Sequence, residues 1–408
     1  MKCRHCNSEL EVPLIDLGVT APSNSYLENK QLIKDEKEYP LKVLVCSKCW
    51  LVQTEDFVGA EQMFSHDYAY FSSFSSTWLN HAKQYVEMIS EKLQLSNESC
   101  VVEIAANDGY LLQYMRQKKI PCYGIDPTYG TASFARKKGI EMIVDFFTPK
   151  LAYDLFNKNR QADLMIANNV LAHVPDINGF VESFSILLKP SGVITFEFPH
   201  LLNLIEKNQF DTIYHEHYSY LSVVVVQAIL KNFNLEIFNI DELPTHGGSV
   251  RVYAQKNSSG KFLIDPSVDK ILKKEIKAGV KTTNYYKSLQ KNADEIKENF
   301  ILLLNKLHDQ GYKVAAYGAA AKGSTLINFS GVTSELISCV ADKNTSKQGK
   351  LLPSSHIPIV SEADLINYKP DYVLILPWNI KDEVIDQLSY VREWGGKFVT
   401  IIPSIEIS

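Results

Sequence analysis

Apolar residues along the first half of the chain fall into short β-rich runs that alternate with segments of helical spacing. From about residue 98 to residue 258 the predicted strands are Val101–Ile104, Pro121–Ile125, Leu164–Ala167, Gly192–Phe196, and the closely spaced Leu235–Ile240 and Ser249–Ala254. Segments such as Leu111–Lys118 and Gly179–Leu188 have helical periodicity between them. This alternation predicts a doubly wound, mostly parallel sheet, with the last two strands forming an antiparallel pair at one edge.

A second α/β pattern occupies the C-terminal third, with predicted strands Lys313–Tyr317, Leu336–Ala341, Tyr372–Leu376 and Lys397–Ile402. A Lys/Glu-rich stretch, from about Pro266 to Leu307, precedes it and predicts helices with one solvated face. Since 408 residues are too many for one core, we expect three domains. They are a small N-terminal domain (1–64), a central Rossmann-like domain (65–258) and a smaller C-terminal Rossmann-like domain (259–408).

Composition narrows the classes of partner. The net charge of −5 gives no general attraction to nucleic acid or to an anionic membrane, so local cations and backbone amides must hold any anionic substrate. No apolar run is long enough to span a bilayer, and the N-terminus lacks the apolar stretch of a signal peptide. We therefore expect a cytoplasmic location. Nothing in the sequence fixes the oligomeric state, and a monomer is the working expectation.

Four of the seven cysteines form two Cys-x-x-Cys pairs, Cys3 with Cys6 and Cys46 with Cys49. In a reducing compartment such usage indicates metal binding, and four thiolates complete the tetrahedral shell of a structural zinc. Free buried cysteines are the alternative, while a redox role is disfavoured because neither pair follows a strand at a helix start. We predict a structural zinc without chemistry, whose chelation loosens the domain.

Candidate cofactor contacts follow successive strands of the central domain. The turn after the first strand has small residues but one glycine, which makes a poor dinucleotide fingerprint. The acid that ends the second strand suits ribose hydroxyls, and an acid with an aromatic ring after the third suits adenine. This series fits S-adenosylmethionine (SAM) better than a pyrophosphate cofactor. The predicted contacts are Glu103, Ala105, Asn107, Gly109, Asp126, Pro127, Asp145, Phe146, Asn168 and Asn169.

Several strings resemble the sugar C-3′-methyltransferases, which build branched deoxysugars of the mycarose, tetronitrose and virenose type. They are 103–109, 168–173, 196–200, 211–217, 245–249 and 317–323, together with the four cysteines. The similarity runs over essentially the whole chain, and its most specific part is the Tyr-His-Glu-His string at 214–217. It implies a class I methyltransferase domain, SAM as cofactor and a nucleotide-linked keto-sugar as substrate, with dTDP favoured over GDP as the nucleotide.

Carbon methylation by SAM needs a carbanion, which a ketone next to the reacting sugar carbon supplies once a base has removed the C-3′ proton. Histidine works as such a base near neutral pH, and the enolate oxygen needs hydrogen-bond donors. The resemblance implies His217 as base and Glu216 as a residue that orients the substrate or the base, with Tyr214, His173, Asn169 and Tyr68 also in the site. Which of His217, Tyr214 and His173 is the base stays open, as does whether the string forms a strand or a turn.

A strand-to-helix turn in the C-terminal domain, Gly318–Ser324, offers small residues, a helix N-terminus and the cation of Lys322. We predict that it holds the substrate diphosphate; a tight crossover with a solvated lysine is the alternative. The predicted substrate contacts are Tyr68, Tyr70, Phe71, His200, His215, Gly318, Lys322 and Ser324.

Other functions are weighed against this one. An NAD-dependent nucleotide-sugar oxidoreductase would use two Rossmann-like units, but neither has a Gly-x-Gly-x-x-Gly turn. A non-catalytic zinc-containing binding module, a second metal at the histidines, and O- or N-methylation are the remaining alternatives. Binding of SAM distinguishes the methyltransferase from the first two.

Overall fold

Within residues 1–28, 30–57, 59 and 71–408, which the computed structural model describes, the strands form three sheets. The first is antiparallel, in the order β1-β2-β3-β9, with β1 at Val12–Thr20, β2 at Tyr39–Val45, β3 at Val52–Thr54 and β9 at Ser219–Tyr220. Strand β9 comes from the central part of the chain, immediately after the histidine-rich string. The N-terminal sheet is therefore completed by the segment that carries the predicted catalytic residues.

The central sheet has the order β10-β11-β8-β7-β4-β5-β6 and is parallel except at β11. Its short inner strands are apolar runs buried on both faces, as expected where helices cover both sides. The predicted parallel sheet and its antiparallel edge pair are confirmed. The strands are β4 Val101–Ile104, β5 Cys122–Ile125, β6 Glu141–Ile143, β7 Ala162–Asn168, β8 Leu188–Pro199, β10 Leu235–Leu243 and β11 Ser249–Lys256.

Helices of the central part begin at the caps that the sequence supplies. Ser75, Thr148 and Ser222 each accept a backbone N–H of the first turn, and Pro149 occupies the first position of its helix. The helices are α1 Ser76–Lys92, α2 Leu112–Gln117, α3 Tyr129–Lys137, α4 Pro149–Asn157, α5 Ile177–Leu187, α6 Leu201–Glu206 and α7 Val223–Asn232.

The Lys/Glu-rich stretch folds as α8 Pro266–Ala278 and α9 Ser288–Asp309, as predicted. Helix α8 starts after the cap Asp265 and ends at Gly279, whose φ of 100° closes it in the left-handed conformation. In α9, Phe300 and Leu304 are buried while Leu302 stays exposed, so one face packs and the other is solvated. No helix among the described residues is long and apolar enough to cross a membrane.

The C-terminal sheet has the order β14-β13-β12-β15-β16-β17 and is parallel except at β17. Its strands are β12 Val314–Tyr317, β13 Val340–Ala341, β14 Ile359–Val360, β15 Tyr372–Ile375, β16 Lys397–Thr400 and β17 Glu406–Ile407. The helices are α10 Ala321–Ser330, α11 Glu362–Tyr368 and α12 Lys381–Gln387.

Strand order reverses between β4 and β7 in the central sheet and between β12 and β15 in the C-terminal one. At such a reversal the connections leave in opposite directions and open a crevice beyond the carboxyl ends of the strands, where ligands bind. Each Rossmann-like unit therefore has one crevice, and the predicted cofactor and diphosphate turns lie at these two places.

Candidate active site

Unpartnered polar side chains mark the central crevice. Glu103, at the end of β4, is 1% exposed beside Tyr110, and neither carboxylate oxygen has a partner of hydrogen-bond geometry within the described residues. Asn168, at the end of the adjacent β7, is likewise buried with both amide atoms unpartnered there. Burial, helped by the charges of Asp108 and Asp126, raises the pKa of Glu103 well above its usual value. A buried carboxyl without a partner is costly, so this crevice suits a cationic ligand group.

The turn after β4 is shaped by backbone conformation and by Asp126. Ala105, Asn107 and Gly109 all have positive φ, at 56°, 49° and 74°. Asp126 accepts the Asn107 N–H at 2.8 Å and the Thr128 N–H at 2.9 Å, which ties the turn to the end of β5. A Cβ on Gly109 would lie 2.4 Å from Ile140 Cδ1, so the glycine also serves close packing.

The predicted adenine contacts lie at the outer end of the same crevice. Asp145 is exposed and Phe146 half-buried after β6, and Pro127 is half-buried after β5. Phe147 instead packs against Phe184 in the core, with ring centroids 5.1 Å apart. Accessible side chains thus follow β5 and β6, whereas the buried polar side chains Glu103 and Asn168 lie at the ends of β4 and β7. The residues present fit SAM, whose ammonium and sulfonium are positive.

The histidine-rich string forms a turn before β9, which decides the question that the sequence left open. The His215 ring points to the N-terminal sheet, where Nε2 donates to the carbonyl oxygens of Tyr39 and Pro40 at 3.3 and 3.2 Å. Glu216 accepts the Asn24 amide at 2.6 Å. His217 faces the other way, so the string separates its two histidines.

His217 is held in one tautomer. Its Nδ1 donates to the Thr212 carbonyl at 2.8 Å, so Nε2 carries the lone pair, and the Tyr214 hydroxyl donates to that atom at 2.7 Å. The ring of His173 packs 4.6 Å from the His217 ring, and its Nδ1 donates to the Glu216 carbonyl at 2.9 Å. Burial lowers the pKa of His217 well below its usual value and that of His173 to about 4. Both imidazoles are therefore neutral at physiological pH.

Two residues that the site prediction omitted join this cluster to the central crevice. His246 Nε2 accepts the Asn169 amide at 3.1 Å, and the Trp78 ring lies between His246 and Tyr110, with centroids 5.2 and 5.8 Å away. Burial, with the nearby charge of Lys322, lowers the pKa of His246 to about 4. The Thr-His-Gly-Gly string at 245–248 was a signal for His246, whereas Trp78 lies on a helix with no motif around it.

The C-terminal crevice brings a cation to the same place. Lys322 lies over the Trp378 ring, 4.7 Å from its centroid, and donates to Asn379 at 3.2 Å. Trp378 in turn donates to Asp211 at 2.6 Å. Burial lowers the pKa of Lys322 and raises that of Asp211 to about 6. The sequence prediction named Lys322 but missed Trp378 and Asp211, because only packing of the C-terminal domain against the central one brings them together.

The small residues of the C-terminal turn, Gly318–Ser324, pack tightly against neighbouring side chains. A Cβ on Gly318 would lie 2.6 Å from Pro377 Cδ, and one on Gly323 would lie 2.6 Å from Leu376 Cδ1. Ser324 is buried, with its hydroxyl 3.4 Å from the Ser23 carbonyl. Of the predicted diphosphate contacts, Lys322 is therefore the side chain that faces the crevice.

Other predicted substrate contacts lie apart from the histidine cluster or outside the described part of the chain. His200 is buried and donates to Glu275 at 2.6 Å, and His215 faces the N-terminal sheet as above. Phe71 packs edge-on against Phe134 at 5.1 Å. Tyr68 and Tyr70 fall outside the residues that the structure describes.

The four predicted metal ligands converge. The sulfur atoms of Cys3, Cys6, Cys46 and Cys49 all lie within 4.8 Å of one another. The Cys3–Cys49 and Cys6–Cys46 pairs are 3.4 and 3.5 Å apart. A tetrahedral zinc with bonds of about 2.3 Å needs sulfurs about 3.8 Å apart, so the cluster fits one ion with no open coordination position.

Comparison with known proteins gives matches to three family models. The C-methyltransferase C-terminal domain matches residues 244–403, a methyltransferase domain matches residues 79–240, and a zinc binding domain matches residues 3–64. The chain is also 31% identical over 402 residues to C-methyltransferase NovU of Streptomyces niveus, covering 98% of this chain and 95% of that protein.

Solved structures resemble the chain more distantly. A SAM-dependent methyltransferase from Clostridium acetobutylicum is 12% identical, with a TM-score of 0.35 over 44% of this chain and 92% of that one. Magnesium protoporphyrin IX methyltransferase from Synechocystis, solved with bound SAM, is 14% identical, with a TM-score of 0.34 over 48% and 88% of the two chains.

Proposed function

Because this chain belongs to the C-methyltransferase family, we propose that it methylates C-3′ of a nucleotide-linked 4-keto-6-deoxy sugar, with dTDP as the nucleotide. As a member it is a SAM-dependent enzyme with a zinc-binding domain. The observation that carries this substrate proposal is the neutral Tyr214–His217 pair, whose Nε2 holds a lone pair and on which the charges of Lys322 and His246 act. We retain the domain limits 1–64, 65–258 and 259–408 as part of this proposal.

Binding of the cofactor is assigned to the central crevice. Glu103 and Asn168 supply partners for the charged amino-acid end, Asp126 for the ribose, and Asp145 and Phe146 for the adenine. The bound cofactor supplies an electrophilic methyl group on a sulfonium. The Trp78 and His246 rings pack against each other, with centroids 5.2 Å apart, and help to exclude water from the reacting atoms.

The proton leaves C-3′ through the Tyr214–His217 pair. The Tyr214 oxygen accepts the carbon-bound proton while its own proton moves to His217 Nε2, and the Thr212 carbonyl holds the imidazolium that forms. The electron pair of the broken C–H bond becomes the enolate, which forms the new carbon–carbon bond as the sulfur–carbon bond breaks. The ketone re-forms, and the proton remains on the pair until solvent removes it.

The negative charge that develops on the enolate oxygen needs a donor nearby. Lys322, held by Asn379 over Trp378, brings a positive charge close to the histidine cluster from the C-terminal domain. The same cation and the N-terminus of α10 favour the anionic diphosphate. We assign Lys322 to substrate binding and charge stabilisation together.

Mass spectrometry in deuterated water tests the proposal. With SAM and a dTDP-4-keto-6-deoxyhexose, the wild-type enzyme is expected to add one methyl group, and without SAM to exchange the C-3′ proton. His217→Asn and Tyr214→Phe should lose both reactions by about 10²–10⁴-fold, the usual contribution of a general base.

His215→Asn is the matched control, because that histidine lies in the same turn and faces away; we expect it to retain exchange once its folding has been verified. Exchange that persists in both His217→Asn and Tyr214→Phe would move the base to His173. Absence of methylation of any keto-sugar by a SAM-binding wild-type protein would overturn the substrate class.

A further inference from the structure

The side chain of Arg4 leaves the first zinc knuckle and enters the protein. Arg4 lies between Cys3 and Cys6, and its side chain is 5% exposed. Its Nη2 donates to the Thr54 carbonyl at 2.7 Å, and its Nε to the Tyr218 carbonyl at 3.4 Å. Asp56 accepts from Nη1 at 3.0 Å on the outer side. One guanidinium therefore joins the knuckle, the end of β3 and the segment directly after His217.

The knuckle end of this connection is fixed by its own hydrogen bonds. The Arg4 N–H donates to Gln53 Oε1 at 2.9 Å, and Gln53 Nε2 donates to the Cys3 sulfur at 3.3 Å. Asn178, at the start of α5, donates to the His5 carbonyl at 2.9 Å and accepts from His5 Nδ1 at 2.8 Å. The backbone from which the Arg4 side chain starts is thus set by the cysteine loop and its neighbours.

The other end reaches the peptide that carries the proposed base. Thr54, whose carbonyl Arg4 holds, donates its hydroxyl to the His217 carbonyl at 3.0 Å and its N–H to the Tyr218 carbonyl at 3.2 Å. Strand β3 then pairs with β9, with Val52 opposite Tyr220. The backbone on the C-terminal side of His217 is held by the N-terminal domain at each of these points.

We propose that Arg4 is a positioning residue for the methyl transfer, through which the zinc knuckle sets the place of the His217 backbone. This inference rests on the proposed function, since it concerns the same base. The His217 ring makes its bonds to Thr212 and Tyr214 only if its backbone is in place. The zinc domain therefore does more than stabilise the fold, because it determines the geometry of the base.

Arg4→Met tests the connection, with Lys48→Met as its matched control, because Lys48 is the exposed basic residue between Cys46 and Cys49 of the second knuckle. Bound zinc, SAM affinity by calorimetry, turnover, and histidine-labelled ¹⁵N NMR are measured on the full-length protein. Arg4→Met is expected to retain zinc and SAM affinity and to lose about 10- to 100-fold in kcat, the scale of a small misplacement of catalytic groups.

The NMR spectrum distinguishes a positioning role from a purely structural one, because the loss of a purely structural residue would leave the His217 signals unchanged. The His217 signals, identified by their loss in His217→Asn, should show the protonated Nδ1 and basic Nε2 in wild type and in Lys48→Met, and shift in Arg4→Met. Arg4→Lys should recover part of kcat, since an ammonium keeps the charge but not the planar fork that reaches several carbonyls.

A second variant keeps the test decisive if Arg4→Met loses zinc or does not fold. Thr54→Val removes the hydroxyl bond to the His217 carbonyl from outside the knuckle, and should shift the same NMR signals with zinc retained. Wild-type His217 signals in Arg4→Met, or in Thr54→Val where it must replace that variant, would overturn the inference. A wrong substrate class would show differently, as a wild-type protein that does not methylate keto-sugars while its zinc, SAM and NMR measurements remain interpretable.

Discussion

The two Rossmann-like units have the same kind of crevice but opposite kinds of ionisable side chain in it, an acid in one and an amine in the other. At the reversal between β4 and β7, the side chains are the buried Glu103 and the buried amide of Asn168. At the reversal between β12 and β15, the side chains are Lys322, Asn379 and the Trp378 ring, beside a helix N-terminus. One crevice therefore suits a cationic ligand and the other an anionic one.

In the proposed function, this difference lets one fold serve two ligands of one reaction. The crevice fixes where a ligand binds, because the loops diverge there, whereas a few side chains decide its charge. The charges of Lys322 from the C-terminal unit and of His246 from the central unit both act on the neutral His217. A positive methyl donor and a negatively charged nucleotide sugar would meet at a base that carries no charge of its own.

The largest change is expected when the acid of the central crevice is neutralised. Glu103→Gln should weaken SAM binding by about 30-fold or more, since losing a buried charge partner costs ~2 kcal/mol or more. The ligand-free protein should melt at a higher temperature, because an unpartnered buried carboxyl has been removed. Calorimetry with SAM and a thermal melt measure the two effects, and the exposed Glu141→Gln is the control. Unchanged SAM affinity would contradict the assignment of the cationic ligand to this crevice.

Removing the charge of Lys322 in the C-terminal crevice should weaken binding of the anionic ligand and not of the cationic one. Lys322→Met should weaken dTDP binding by about 10- to 100-fold, the value of ~1.5–3 kcal/mol for a hydrogen bond to a charged group, and leave SAM affinity as it is. Lys313→Met, on the same domain before β12, is the control. If Lys322→Met weakens SAM instead of dTDP, the two crevices have been assigned in the wrong order.

A smaller effect, on the pH dependence of stability, is expected from the buried neutral histidines His173 and His246. His173 and His246, with pKa values lowered by burial to about 4, stay unprotonated when folded but protonate below about pH 6.5 when unfolded. Their contribution to stability is thus present above pH 6.5 and lost as the pH falls toward 4. Asp211, with its pKa raised to about 6, acts in the opposite sense and loses its contribution as the pH rises.

Thermal melts from pH 7 to pH 4 measure the contribution of these histidines to stability. His246→Gln should flatten the fall in melting temperature on acidification, whereas His308→Gln, at an exposed position, should leave it unchanged. A profile as steep in His246→Gln as in wild type would mean that this imidazole is not held neutral by the fold.

Sequence patterns were sufficient for most strands of the two Rossmann-like sheets and for the residues that lie at their ends, but they did not predict the N-terminal sheet. Short apolar runs predicted β4 and β7, and their ends placed Glu103 and Asn168 in the crevice without knowledge of any contact. The cysteine spacing predicted the zinc cluster in the same way, because four thiolates in two tight pairs have one common use. These are local signals, in which the residue type and its position carry the chemistry.

Other features depended on segments that are far apart in sequence. His215 and His217 look equivalent in the string, yet one turns to the carbonyls of Tyr39 and Pro40 and the other to Thr212 and Tyr214. Similarly, His200 carried the signals of a site residue, but a long-range pair with Glu275 in α8 uses it for packing.

The sequence by itself thus determined the fold class, the family, the metal ligands and the two turns at strand ends, because periodicity, spacing and short motifs are written in consecutive residues. Only the tertiary structure decided which histidine carries the available lone pair, that Trp378 and Asp211 face Lys322, and that Arg4 reaches the histidine-rich turn. The physical reason is that hydrogen-bond partners, burial and the pKa values that they set arise between elements tens to hundreds of residues apart, whose contacts no local pattern encodes.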